Sequence, residues 1–172
     1  MRSFIGAAIG AVIGVFACGT TLKQCELPVR STPVGYEYVV EAQEYTKGWE
    51  KLRLKAYKDN TRMSIGYGTK SYEGEVITKE EADKRFNDYW QENIPDLSKH
   101  VSNKGQYIAL ADTMYNKGGT VKKYTTNGKI DCEKIRYMSK INQKYYYGVK
   151  NRTEINYKLC TGELEWHTLY KE

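Results

Sequence analysis

The sequence predicts an α+β fold, a small β-hairpin lobe joined to a mainly helical lobe, and three features predict it. Leu52, Leu54 and Ala56 alternate with Arg53, Lys55 and Tyr57, the period of a half-buried strand, and end at the turn-prone pair Asp59-Asn60. Thr78 followed three residues later by Glu81 is a capping-box signature that opens a helix. Beyond Pro95 the apolar spacing is helical, with glycine-bearing loops between the segments. A chain of 172 residues with 40% hydrophobic residues buries one ordinary core, so one domain plus an appendage is expected.

The elements follow in order. Val39, Val40, Ala42, Tyr45 and Trp49 share one helical face, predicting a first helix over 38–49 that Gly48 weakens at its end. The strand from Leu52 pairs back with a second strand over 63–67. The helix capped by Thr78 runs to about Asn93, where Pro95 redirects the chain. Three more helices are expected over 104–115, 131–142 and 153–160.

Ahead of this domain, Ser3 to Leu22 carry no charge over 20 residues, roughly 30 Å as a helix and enough to cross a bilayer core. Arg2 precedes the run, the polarity of an exported start whose positive end stays in the cytoplasm. Gly6, Gly10, Gly14 and Gly19, with four alanines, dilute its bulky apolar residues, so insertion is weak and reversible. Three readings compete: an uncleaved or releasable anchor, a signal cleaved after Ala17, and a crude lipobox at Cys18; all put the remainder outside the cytoplasm. Pro28, Ser31, Thr32, Pro33 and Gly35 mark a linker. The expected organisation is therefore a membrane segment over 1–22, a linker over 23–36 and a folded domain over 37–172.

Composition removes several functions. The 27 basic residues exceed the 21 acidic ones by six, but they are spread evenly and form no reading motif, which argues against nucleic-acid binding. Cys18, Cys25, Cys132 and Cys160 contain no Cys-x-x-Cys pair, and His100 and His167 lie far apart, so neither a metal site nor a cofactor is expected. An even cysteine count behind an export-like segment permits disulfides in three connectivities, and free buried thiols remain open for Cys132 and Cys160. The 16 tyrosines offer flat, amphipathic faces suited to sugars as well as to ordinary packing.

Chemistry concentrates in WEKLRLKAYKDNTRMSIGYG, Trp49 to Gly68. Glu50 falls at a helix end and Asp59 in the hairpin turn. A glycosidase needs one protonated acid for the leaving oxygen and one carboxylate to activate water or stabilise an oxocarbenium-like state. Ser64, entering from the second strand, supplies a hydroxyl that could hold the water, and Gly66 and Gly68 permit sharp turns or close approach. Spacing alone leaves the plainer alternatives open: a solvated helix-end acid, a turn aspartate and a strand hydroxyl.

The stretch resembles the catalytic signature of phage-type lysozymes, Glu-Gly-Leu-Arg-Leu-x-Ala-Tyr-x-Asp followed by Thr-Ile-Gly-Tyr-Gly-His. The likeness continues through ITKEEAD (77–83), ALADTMYNKGG (109–119), GVKNRTEI (148–155) and TGELEW (161–166). It implies a two-lobed lysozyme fold with a cleft for the alternating N-acetylglucosamine and N-acetylmuramic acid chain of peptidoglycan. It implies Glu50 as general acid, Asp59 as second carboxylate and Ser64 in the place of the usual threonine. It also implies Arg152 of the Asn-Arg motif as partner of Glu50, with Tyr57 and Asn116 contacting or orienting substrate. Lys51 stands where glycine is usual and Thr69 where histidine is usual, and the turn before Ser64 is one residue shorter. The weakly apolar start resembles the signal-arrest-release segment of some endolysins, implying an enzyme held on the host inner membrane, then a periplasmic monomer that lyses the host. A catalytically inactive wall-binding module and a membrane-active protein working through its glycine-rich helix are the competing classes.

Overall fold

The computed structural model describes residues 36–59, 61–137, 146–165 and 168. The anchor and linker expected over 1–36, with Cys18 and Cys25, lie outside the described residues except at Tyr36. Among the described residues no helix is long and apolar enough to cross a membrane.

Helix α1 spans Tyr36–Glu50 and buries Ala42, Tyr45 and Thr46, with Val39 and Trp49 half-covered on the same stripe. It ends at Lys51, whose amide donates to the Lys47 carbonyl at 3.2 Å and whose φ is +53°. A left-handed residue at that place closes the helix, which is why glycine suits it and lysine is strained there.

Strands β1 (Arg53–Asp59), β2 (Arg62–Gly66) and β3 (Thr69–Ser71) form one antiparallel sheet in that order. The third strand goes beyond the expected hairpin. The half-burial expected of Leu52 and Leu54 is not found: they are 36% and 39% exposed. Helix α2 packs on β2 and β3, so β1 lies at the edge away from that cover. Its register breaks between Arg53 and Tyr57, and the chain near Val76 flanks it, with the Ile77 amide donating to the Leu54 carbonyl at 3.0 Å.

Helix α2 (Lys79–Asn93) starts as its capping signal predicts, with Thr78 Oγ1 accepting from the Glu81 amide at 3.2 Å. The reciprocal half of the box is replaced: the Glu81 carboxylate accepts from Arg85 Nε at 2.8 Å. Lys47 of α1 donates to Asp83 of α2 at 2.6 Å, and the bonds from Lys47 and Lys79 hold the Asp83 carboxyl down at about 2. This pair ties the helix bearing Glu50 to the helix under the sheet.

Helix α3 (Lys104–Lys117) is buried on every side from Tyr107 to Met114, so it forms the centre of the helical lobe between α1 and α5. A short hairpin follows, β4 (Thr125–Thr126) with β5 (Lys129–Ile130), turning through Asn127 and Gly128 at φ +52° and +76°. Helix α4 covers Cys132–Tyr137 of the helix expected over 131–142, and 138–145 lie outside the described residues. Helix α5 spans Tyr146–Thr161, starting before the expected Thr153 because Gly148 does not interrupt it.

Of the alternatives open for Cys132 and Cys160, the structure takes the disulfide, joining the start of α4 to α5 across a Cα separation of 5.7 Å and 28 residues of chain. Closing a loop of that length in the unfolded chain contributes about 3.5 kcal/mol in the chain-entropy account. Cys132→Ser with Cys160→Ser therefore lowers unfolding free energy by about that much. Urea melts of oxidised protein and of the double variant test it, and coincident midpoints would reject it.

Candidate active site

The chain that leaves α1 enters β1 within three residues, so the two carboxylates singled out from the sequence stand at either end of the same strand. Glu50, Tyr57, Asp59, Arg62, Gly68, Thr69, Lys70, Tyr89, Tyr115 and Asn116 line one cleft of about 270 Å³. Its floor is aromatic: Tyr115 packs on Phe86 and Tyr89 at ring separations of 5.1 and 5.0 Å, and its hydroxyl donates to the Tyr67 carbonyl at 2.8 Å. Burial first, then the Glu50 charge, raises the Tyr115 hydroxyl far above its ordinary value. Burial and then the Asp59 carboxylate likewise raise Tyr57.

Pairing across the sheet explains which side chains face the cleft. Tyr57 pairs with Ser64, Asp59 with Arg62, and Ser64 with Lys70, so these positions share one face. Tyr57 on β1 and Lys70 on β3 therefore flank Ser64 in the middle strand. Ser64 is fully buried and is absent from the cleft lining, and its Oγ has no hydrogen-bond partner. Thr69 does line the cleft, with its hydroxyl donating to the Ile65 carbonyl at 3.0 Å.

Gly68 closes the other side. Its φ is +84°, and a Cβ there would lie 3.2 Å from Glu50 Oε2. Only glycine takes that backbone conformation cheaply while leaving the carboxylate room.

Arg152 on α5 stands behind Glu50, donating from one terminal nitrogen to Oε1 at 2.6 Å. Its Nε and second terminal nitrogen donate to the two carboxylate oxygens of Asp112 at 2.9 and 2.6 Å. Asp112 also accepts from Thr46 Oγ1 at 2.9 Å and Asn156 Nδ2 at 2.7 Å, and Tyr45 donates to Asn156 at 2.8 Å. Burial works against the Arg152 charge, but Asp112 and then Glu50 hold it protonated well beyond its ordinary range. Burial and then Arg152 lower the Lys117 ammonium nearby. Asp112, Thr46 and Asn156 were not singled out from the sequence. A polar residue amid the apolar positions of a buried helix, Asp112 in ALADTM, was the one signal that could have found them.

The structure thus brings Glu50, Asp59, Tyr57 and Asn116 into one cleft, puts Arg152 against Glu50, and leaves Ser64 below the cleft surface. Two carboxylates in a sugar-sized cleft with aromatic walls are the equipment for acid-assisted glycosidic cleavage.

A comparison with curated proteins found no match. Among solved structures, the endolysin from Escherichia coli O157:H7 phage FAHEc1 is similar at 22% identity and a TM-score of 0.59, over 72% of this chain and 92% of that one. The muramidase domain of SpmX from Asticaccaulis excentricus aligns at 19% identity and a TM-score of 0.48, over 69% and 93%. The first likeness supports the mixed fold of helices and a small sheet. The family model for phage lysozyme matches residues 47–156, well over half of the chain and all of the cleft, so this protein belongs to the phage lysozyme family of peptidoglycan-cleaving glycosidases.

Proposed function

We propose that the protein is an endolysin-type lysozyme that hydrolyses the β-1,4 bond between N-acetylmuramic acid and N-acetylglucosamine and thereby lyses the host cell. Glu50 gives its proton to the leaving oxygen, and Asp59 activates water or stabilises the developing positive charge. Tyr57 and Asn116 contact the sugars. The observation that carries the reading is the cleft shared by Glu50 and Asp59, with Arg152 backing only the first of them. Residues 3–22 hold the enzyme on the inner membrane until they leave it, and the enzyme then acts as a periplasmic monomer. The Cys132–Cys160 disulfide suits such an oxidising compartment.

Ser64 is assigned the attacking water. Its buried, unpartnered Oγ on the cleft face needs a hydrogen-bonding partner, and a water shared with Asp59 would satisfy it. Thr69, whose hydroxyl already reaches the cleft, is the second reading. Under the first, Ser64→Ala slows wall cleavage about 10-fold or more while Thr69→Val does not; the opposite pattern transfers the role to Thr69.

Incubating the purified full-length protein with peptidoglycan and identifying the soluble fragments by mass spectrometry tests the function itself. New reducing muramic acid ends are expected. Anhydro-muramic ends would instead indicate lytic transglycosylation, and tight wall binding without any fragments would favour the inactive binding module.

A further inference from the structure

Behind Glu50 lies a second acid that the scheme above does not use. Asp112 is wholly buried on α3 and its two oxygens accept four hydrogen bonds, from Thr46, Asn156 and twice from Arg152. Thr46 and Asn156 are neutral donors, so they satisfy oxygens of the carboxylate without offsetting its charge. Taking a full negative charge out of water is costly, and the group that answers it here is the Arg152 cation. Arg152 commits two of its three nitrogens to Asp112 and one to Glu50.

We propose that Asp112 is a positioning residue for the glycosidic reaction, neutralising Arg152 and fixing it edge-on so that Glu50 is oriented by a single bond without being held ionised. The inference rests on Glu50 acting as the acid. An acid that must carry a proton is ill served by a lone cation at 2.6 Å, which favours the carboxylate. A cation already paired in the interior acts on Glu50 chiefly as a hydrogen-bond donor. Without Asp112 the guanidinium is free to turn two donors on Glu50, the stronger, bidentate geometry. The other titratable or charged groups around Glu50 are Tyr57 and Asp59 from β1, Arg62 from β2, Lys70 from β3, Tyr89 from α2, and Tyr115 and Lys117 from α3. None of these has a hydrogen bond to Arg152, so none offsets its charge in the way that Asp112 does.

Asp112→Asn in the full chain keeps the size and an acceptor oxygen while removing the charge. The expected result is an alkaline limb of the activity profile moved down by about one pH unit, with KM for wall fragments little changed. The Glu50 carboxyl, followed by carbon NMR and assigned with Glu50→Gln, should titrate lower by the same amount. A merely structural Asp112 would scale activity evenly at every pH and leave both the limb and the titration in place, which overturns the proposal. A titration that falls while the limb stays fixed upholds the action of Asp112 on Glu50 and removes Glu50 as the acid. Should Asp112→Asn not fold, Asp112→Ser, which also removes the charge while leaving Arg152 in place, is followed in the same way. The Glu50 titration must lie below that of the native chain, and coincidence of the two overturns the proposal.

Discussion

Glu50→Gln is expected to abolish clearing of chloroform-treated Gram-negative cells, with a loss of about 1,000-fold or more, while the fold and wall binding persist. The amide retains an oxygen that can accept from Arg152, so the contact behind the cleft survives. What disappears is the proton donor. Its thermal midpoint should remain within a few degrees of the native one, because the side chain faces a cleft and not the core. Loss of activity with a preserved midpoint fixes Glu50 as the acid. Equal clearing by both proteins removes Glu50 from the mechanism and leaves Asp59 as the carboxylate to examine. Loss of activity with loss of fold would be read from the midpoint, and the Glu50→Asp variant would then separate shortening from charge.

The parts of this molecule legible in its sequence are those set by near neighbours. Thr78 caps α2 because a hydroxyl three residues before an amide can reach it whatever the rest of the chain does. Glu50 and Asp59 meet in one cleft because a helix end and a strand end are separated by a single strand, a distance the pattern already contains. The Asn127-Gly128 turn is equally local, since Asn-Gly favours the positive φ angles that a tight hairpin needs. Leu52 and Leu54 show the limit of alternation: the pattern specifies a face, and whether anything covers that face depends on where α2 lands. The same limit applies to Ser64. Its register on the cleft face is a pairing property, while its burial comes from occupying the middle strand between Tyr57 and Lys70. Arg152 was reached through the family resemblance alone, since 102 residues separate it from Glu50. Asp112 shows in the sequence only as a polar residue within an apolar helix, and its partners, all distant in sequence, come together only when three helices pack.

Those packed helices make Arg152 a structural element as well as a neighbour of Glu50. Arg152→Met fills much of the same space, yet it leaves the Asp112 carboxylate buried with only Thr46 and Asn156 to answer its charge. Breaking a buried pair from one side is among the costlier single changes, and the expected loss is about 4 kcal/mol of unfolding free energy. The sign of its pH dependence separates this cause from poor packing. In the variant, Asp112 can escape the penalty by taking up a proton, so the deficit relative to the native chain narrows as the solution is made acidic and widens towards neutrality. A packing defect carries no charge and would hold the deficit constant. Adding Asp112→Asn to Arg152→Met should restore most of the lost stability at neutral pH, because the unpaired charge is then gone. Guanidinium melts of the single and double variants at pH 4.5 and pH 7 measure all of this. A double variant no more stable than the single one would mean that Arg152 supports the helical lobe by its bulk, not by its charge.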